Sequence, residues 1–234
     1  MARRVERSVS NTSLLRKFST SVAKIEGHMT IIIIDNKDSF THNIAQYITM
    51  VSGQEPHVFD NSIPWRELRK IQNTGFILSP GPGSPDTKKD VGVSTEVLAK
   101  SDVPILGICL GHQCLISASG GVIERAPEPF HGRTSVVWHS GDELFKGIPE
   151  SFKVTRYHSL IAQDPLPSTL KKTCWTADGM IMGVAHKTKK MWGVQFHPES
   201  ICSDFGTHLL SNFVQIANFY SEREQNKIHM RDVS

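Results

Sequence analysis

Nothing in this 234-residue chain approaches the ~20 consecutive apolar residues that a membrane-crossing helix needs; the longest apolar run is residues 31–34. Cysteine is scarce as well, and Cys109, Cys114, Cys174 and Cys202 include no Cys-x-x-Cys pair. A chain of this length buries a sizeable core without disulfide staples, so the pattern points to an intracellular, reducing setting. His112, Cys114 and more distant residues do not have a usual zinc-ligand spacing, and no metal site is expected. A surplus of charge is missing from most of the chain. Residues 1–28 hold six basic residues (Arg3, Arg4, Arg7, Arg16, Lys17, Lys24) against Glu6 and Glu26, which leaves 20 basic and 21 acidic residues elsewhere. Such a body has no electrostatic reason to bind nucleic acid.

The composition divides the chain into a leader (residues 1–28), one domain (residues 29–220) and a polar C-terminal tail (residues 221–234). The leader is Arg- and Ser-rich and acid-poor. It reads as a transit segment, as a disordered leader, or as an upstream start ahead of Met29. The first reading puts the protein in an organelle matrix and the others in the cytosol.

Within the domain, strands alternate with helical segments. Residues 31–34 are four isoleucines closed by Asp35, the composition of a strand buried on both faces. A helix follows to about Val51, capped by Asp38 or Ser39, then a strand over residues 57–60 and a helix over residues 64–71. A third strand (residues 76–79), a helix (residues 91–100) and a fourth strand (residues 103–108) complete the pattern of a parallel α/β sheet. Beyond Val122 the strands shorten, at residues 134–138, 153–156, 172–176, 181–186 and 191–196, and predict an antiparallel or mixed extension. A last helix, residues 204–220, carries Phe205, Leu209, Leu210, Phe213 and Ile216 as a packing stripe, with fraying from Ser221 on. The fold class is therefore α/β, a mostly parallel open sheet flanked by helices.

Chemistry concentrates where the fourth strand stops. Gly107-x-Cys109-x-Gly111 is the cysteine form of a nucleophile elbow, a strand-to-helix turn too tight for side chains two residues either side. A helix N-terminus beneath the sulfur favours the thiolate, which is the nucleophile. The other reading is that Cys109 is a small buried hydrophobe. Residues 197–199, His-Pro-Glu, supply an imidazole and a carboxylate, the base and orienter that a thiol nucleophile needs, or else a solvated turn. Residues 80–85, Pro-Gly-Pro-Gly-Ser-Pro, present amides only at Gly81, Gly83 and Ser84. So few donors suit an oxyanion better than a phosphate, and a plain proline-rich turn is the alternative.

Five segments in order, Asp-Asn-Lys-Asp-Ser-Phe-Thr-His-Asn (35–43), Ser-Pro-Gly-Pro-Gly-Ser-Pro (79–85), Gly-Ile-Cys-Leu-Gly-His-Gln (107–113), Arg-Tyr-His-Ser-Leu (156–160) and Gly-Val-Gln-Phe-His-Pro-Glu-Ser (193–200), together resemble the class I glutamine amidotransferases. Residues 126–135 and the Asp-Ser-Phe-Thr segment are similar to the glutaminase subunits of chorismate-using synthases, those making anthranilate or aminodeoxychorismate.

The resemblance implies a flavodoxin-like sheet and a thioester hydrolysis of L-glutamine, with the ammonia passed to a separate chorismate-binding synthase and no cofactor in this chain. It implies Cys109 as nucleophile, His197 as base and then acid, and Glu199 as orienter. The amides of Gly81 and Leu110 become oxyanion donors, the donor falling on a glycine because Pro82 has no N–H, with Gly83 in the same loop. Gln113 and the backbone of Ser159 and Leu160 match the positions that grip the glutamine head group. Anthranilate is the first expectation for the product, aminodeoxychorismate the second, and a stand-alone γ-glutamyl cysteine hydrolase a third. Lys37, His42 and Cys114 depart from the family's more usual residues.

Overall fold

Four consecutive isoleucines offer no polar position, so a strand made of them is stable only with apolar cover on both faces. The computed structural model describes residues 30–232, and in it β1 (Ile31–Asp35) is such a strand. Its side chains alternate, Ile31 and Ile33 entering one apolar cluster and Ile32 and Ile34 the other. The chain continues through α1 (Thr41–Ser52), β2 (His57–Asp60), α2 (Trp65–Leu68), β3 (Gly75–Leu78), α3 (Lys88–Val91), α4 (Ser94–Lys100), β4 (Ile105–Ile108) and α5 (Leu110–Ala118). The second half holds β5 (Ile123–Arg125), β6 (Arg133–His139), a 3-10 turn (Glu143–Phe145), β7 (Ser151–Arg156), β8 (Leu160–Ala162), β9 (Leu170–Thr176), β10 (Ile181–His186), β11 (Met191–Val194) and α6 (Gly206–Asp232).

Among the described residues, nine strands form one sheet in the order β2-β1-β3-β4-β11-β10-β9-β6-β7. Neighbours from β2 to β11 pair in parallel and those from β11 to β7 antiparallel. This is the expected mostly parallel sheet with its antiparallel extension, and β2-β1-β3-β4 follows the flavodoxin-like order. One face packs on α1 and α6 through Ile44, Ile48, Leu209, Leu210 and Phe213. The other packs on α2 to α5 through Leu68, Val91, Val97, Leu98 and Leu115. No helix among the described residues is long and apolar enough to cross a membrane.

Several expected boundaries shift, each for a local reason. The N-cap of α1 is Phe40, and Asp38 turns its carboxylate to the Phe40 N–H at 2.8 Å instead of capping the helix. Helix 64–71 is α-helical only over α2 and tightens into i→i+3 bonds from Lys70 and Ile71. Helix 91–100 is broken at Gly92, with φ +46°, where a Cβ would lie 2.0 Å from the Asn61 carbonyl. β4 starts late because Pro104 has no N–H, though its carbonyl accepts from Phe76 at 2.9 Å. β11 stops at Val194, two residues short of expectation. β5 and β8 pair as a separate two-stranded sheet that short, partly exposed segments did not announce. The last helix does not stop at Tyr220 as expected: α6 runs to Asp232, its Glu, Arg, Gln and Lys residues being good helix formers. The leader lies outside the described residues.

Candidate active site

Two glycines make the elbow possible. A Cβ on Gly107 would sit 2.4 Å from the Gly111 carbonyl, and one on Gly111 would sit 2.3 Å from the Leu78 carbonyl. Between them Cys109 is forced to φ 51°, ψ −100°, a left-handed conformation that costs a non-glycine residue about 1–3 kcal/mol. Its N–H is tied to the Val194 carbonyl at 2.8 Å, and its own carbonyl accepts the first bond of α5 from Gln113 at 3.0 Å. The first amides of α5, Leu110's among them, have no partner within the helix and lend the sulfur a partial positive field. Cys109 is 6% exposed.

The strand register brings the second half of the constellation alongside. Val194 is the partner of Ile108 in the parallel β4–β11 pair, so the residues just past β11 emerge at the same sheet end as the elbow. His197 is held there by its N–H to the Thr155 carbonyl (3.1 Å) and by Ser203 Oγ donating to its own carbonyl (2.6 Å). Pro198 fixes the turn that brings Glu199 Oε1 to 2.6 Å from His197 Nδ1, both side chains being buried. Nε2 is also buried and has no hydrogen-bond partner among the described residues, and Cys109 lies near enough to act on the ring electrostatically. Burial by itself would disfavour the imidazolium, yet the nearby Cys109 and Glu199 together raise the His197 pKa well above that of an ordinary imidazole. Cys109, His197 and Glu199, far apart in sequence, thus lie close together, and the burial of His197 and Glu199 does not fit a solvated turn.

Aromatic rings complete the box around the imidazole. Tyr157 meets His197 edge-on at 5.1 Å between centroids, Phe40 does so at 6.2 Å, and the two rings contact each other at 5.7 Å.

The Pro-Gly-Pro-Gly loop is bolted to the end of β1 by a buried polar network. The Asn36 N–H donates to Ser79 Oγ (2.8 Å) and Asn36 Nδ2 to the Ser79 carbonyl (2.9 Å), while Asn36 Oδ1 accepts from Ser94 and Asn61. This draws Gly81 so close that a Cβ would lie 2.5 Å from the Asn36 carbonyl and 2.9 Å from Leu110 Cδ2. Gly81 and Leu110 are therefore neighbours. The Ser84 N–H is taken by the Asp90 carboxylate at 3.1 Å, and Gly83, with φ +96°, packs against that same carboxylate. Pro82 between them brings no N–H. Of the loop's three amides, Gly81 is the one at the elbow.

Gln113 Nε2 donates to the Leu160 carbonyl (3.2 Å) and to Gln195 Oε1 (3.1 Å), so both its protons are used inside the protein. The Leu160 carbonyl accepts a second bond, from His158 Nδ1 at 3.0 Å, and the Ser159 carbonyl accepts from the Ala126 N–H at 2.8 Å. The carbonyls of the expected head-group backbone are thus engaged, and what Ser159 and Leu160 have left to offer are amides. Gln195, Phe40, Tyr157 and Asn36 were not singled out by sequence, although all four lie inside the five quoted segments. His112 is fully buried beneath Gly193 and pushed by that burial down to about 3. Burial likewise pushes the Cys114 thiol up to about 12, leaving it an unreactive neighbour. No group of three His, Cys, Asp or Glu among the described residues is placed to hold a metal.

Residues 32–217 match the family model for glutamine amidotransferase class-I. The chain is 40% identical over 192 residues to anthranilate synthase component 2 of Cyanophora paradoxa, covering 80% of this chain and 100% of that one. It is 43% identical over 194 residues to the protein of the same name in Methanocaldococcus jannaschii, covering 79% and 96%. To aminodeoxychorismate synthase of Streptomyces griseus it is 45% identical over 186 residues, 79% of this chain but only 26% of that protein's length. Among solved structures, a Thermoplasma acidophilum protein provisionally named as a GMP synthase subunit superposes with TM-score 0.77 at 26% identity, over 84% of this chain and 98% of that one. The matched span starts in β1, ends in α6 and contains Cys109, His197 and Glu199.

Proposed function

From the premise that this chain belongs to the class I glutamine amidotransferase family, shown by the match over residues 32–217, we propose that Cys109, His197 and Glu199 hydrolyse L-glutamine and release ammonia for a separate chorismate-using synthase. The observation that carries this reading is the 2.6 Å bond from His197 Nδ1 to Glu199 Oε1, on an imidazole close enough to Cys109 to feel its charge.

The Cys109 thiolate attacks the side-chain carbonyl carbon of glutamine, and the carbonyl electrons move onto oxygen. The amides of Gly81 and Leu110 receive that oxyanion. His197, as imidazolium, gives its proton to the amide nitrogen, the C–N bond breaks, and ammonia leaves a thioester on Cys109. The neutral imidazole then takes a proton from water, hydroxide adds to the thioester, and glutamate departs as the thiolate returns. Glu199 keeps the imidazole in the tautomer that points Nε2 at the reaction. Gln113 Oε1 and the amides of Ser159 and Leu160 hold the substrate. No step calls on a cofactor, and the thiolate requires a reducing compartment, whether cytosol or organelle matrix.

For the product we favour anthranilate over aminodeoxychorismate, as read from the 126–135 and Asp-Ser-Phe-Thr segments. In support, the anthranilate synthase relatives match this chain along nearly their whole length, whereas the Streptomyces griseus relative is about four times longer than the matched region. Mixing the protein with each candidate synthase, chorismate and glutamine tests the reading. Anthranilate is the expected amine, and Cys109→Ser abolishes glutamine-dependent formation while free ammonia still supports it. Full glutamine hydrolysis without any synthase, unchanged by adding one, would instead identify a stand-alone hydrolase.

A further inference from the structure

We propose that Gln195 is a further residue of the site, its side-chain amide donating to the Cys109 sulfur and holding it as thiolate. Gln195 is fully buried, with its backbone pinned to the Met182 carbonyl at 2.9 Å, and its Nε2 lies 3.7 Å from Cys109 Sγ. The O and N ends of an amide are assigned from their partners, so the direction of this contact has to be argued.

The Leu160 carbonyl fixes it, because a carbonyl only accepts. The end of Gln113 that meets Leu160 at 3.2 Å must therefore be its NH2, and the second proton of that NH2 points at Gln195 at 3.1 Å. The end of Gln195 facing Gln113 must be its oxygen, which leaves its NH2 for the sulfur. A second anchor confirms the polarity at Leu160. Arg156 only donates, and its Nε lies 3.1 Å from His158 Nε2, so the His158 proton sits on Nδ1 and points at the same carbonyl. Arg156 is itself clamped flat against Phe130, 3.3 Å from the ring centroid. Burial, with help from the Arg156 charge, pushes His158 down to about 3, so this tautomer persists through the neutral range. The Leu160 backbone carbonyl thus sets the direction of two glutamine amides and presents an N–H to the nucleophile. A donor so placed stabilises an anionic sulfur more than a neutral thiol.

This inference rests on Cys109 being the nucleophile, but its test needs no glutamine and so separates its failure from that of the proposed reaction. The rate of Cys109 carboxamidomethylation by iodoacetamide is followed against pH in the full chain, by mass spectrometry of the Cys109 peptide. Gln195→Leu removes the donor and Gln195→Glu replaces it with an acceptor of the same shape. With melting temperatures near that of the unaltered protein, both are expected to move the alkylation midpoint upward, Glu further than Leu. An upward shift of one unit is a roughly tenfold loss of thiolate at a pH below the midpoint. An unchanged midpoint in the folded variants overturns the proposal. If the variants do not fold, the unaltered protein decides. The Gln195 side-chain amide proton resonances should shift with pH at the Cys109 midpoint and stop doing so in Cys109→Ala; no such shift overturns it equally.

Discussion

Gly107 and Gly111 face each other across the elbow so closely that a Cβ on the first would lie 2.4 Å from the backbone of the second. The flexible tip of no side chain is involved, so a methyl group there cannot be accommodated by a rotamer change and the strand-to-helix turn itself must open. Gly107→Ala is expected to cost at least the ~1–3 kcal/mol of an overpacked core site, read as a drop in melting temperature. It should also lower glutamine-dependent turnover more than a stability loss alone explains, because Cys109 loses the φ 51° conformation that lifts its sulfur. Turnover equal to the unaltered protein under conditions where the variant is folded would show that the elbow tolerates a wider turn.

The His197 imidazolium supplies a pH dependence whose sign can be worked out. Its pKa is raised on folding, burial being outweighed by Cys109 and Glu199, so the folded protein holds this proton more tightly than the unfolded chain. A group raised in this way contributes its full stabilisation below the unfolded value, about 6.5, and loses it as pH climbs through the higher folded value. His197→Gln should therefore cost most stability near pH 6 and less as pH rises above neutrality. Melting temperatures of both proteins across pH 6 to 9 test this, and a gap that widens with pH contradicts the assignment. Glu199→Gln, which removes one of the groups holding the proton, should shift the closing of that gap to lower pH.

Much of this was legible in the sequence because local and global requirements coincide. The four isoleucines of β1 admit no half-exposed strand, and Gly-x-Cys-x-Gly needs both glycines for the close approaches that the fold displays. What could not be read is whatever depends on register between distant segments. Nothing in residues 193–200 says that Val194 pairs with Ile108, and without that pairing Gln195 has no reason to face Cys109. Gln113 was legible as a polar residue of the site, but its two donated protons depend on Leu160 and Gln195, brought in by other strands. The break of helix 91–100 at Gly92 was hidden for the same reason, since the obstructing carbonyl belongs to Asn61.

Asn36 ties the oxyanion loop to the sheet, and its loss should be felt at the loop before it is felt in the fold. The side chain makes one bond to the Ser79 carbonyl and accepts from Ser94 Oγ and Asn61 Nδ2, all of them buried. Asn36→Ala leaves these buried partners without their hydrogen bonds, at about 1–3 kcal/mol for an unsatisfied buried group. It also frees the loop that sets Gly81 beside Leu110. The expected result is a fall in kcat for glutamine with little change in the pH profile of Cys109 alkylation, because the sulfur keeps its own neighbours. Equal losses in both measurements would mean that the network supports the elbow as a whole.

Gln113 spends both amide protons on the Leu160 carbonyl and on Gln195, so only its Oε1 remains to meet a ligand. It can then recognise an N–H of glutamine but not a carbonyl or carboxylate oxygen, which limits how the substrate can lie. Gln113→Glu keeps an acceptor in the same place while removing both donors. If its role were confined to gripping substrate, this variant would be as stable as the unaltered protein and change KM alone. Because the donors also hold Leu160 and orient Gln195, the expected outcome is a stability loss of about 1–3 kcal/mol together with a fall in kcat larger than any rise in KM. A KM effect without a kcat effect would detach Gln113 from the sulfur and leave it as a substrate contact.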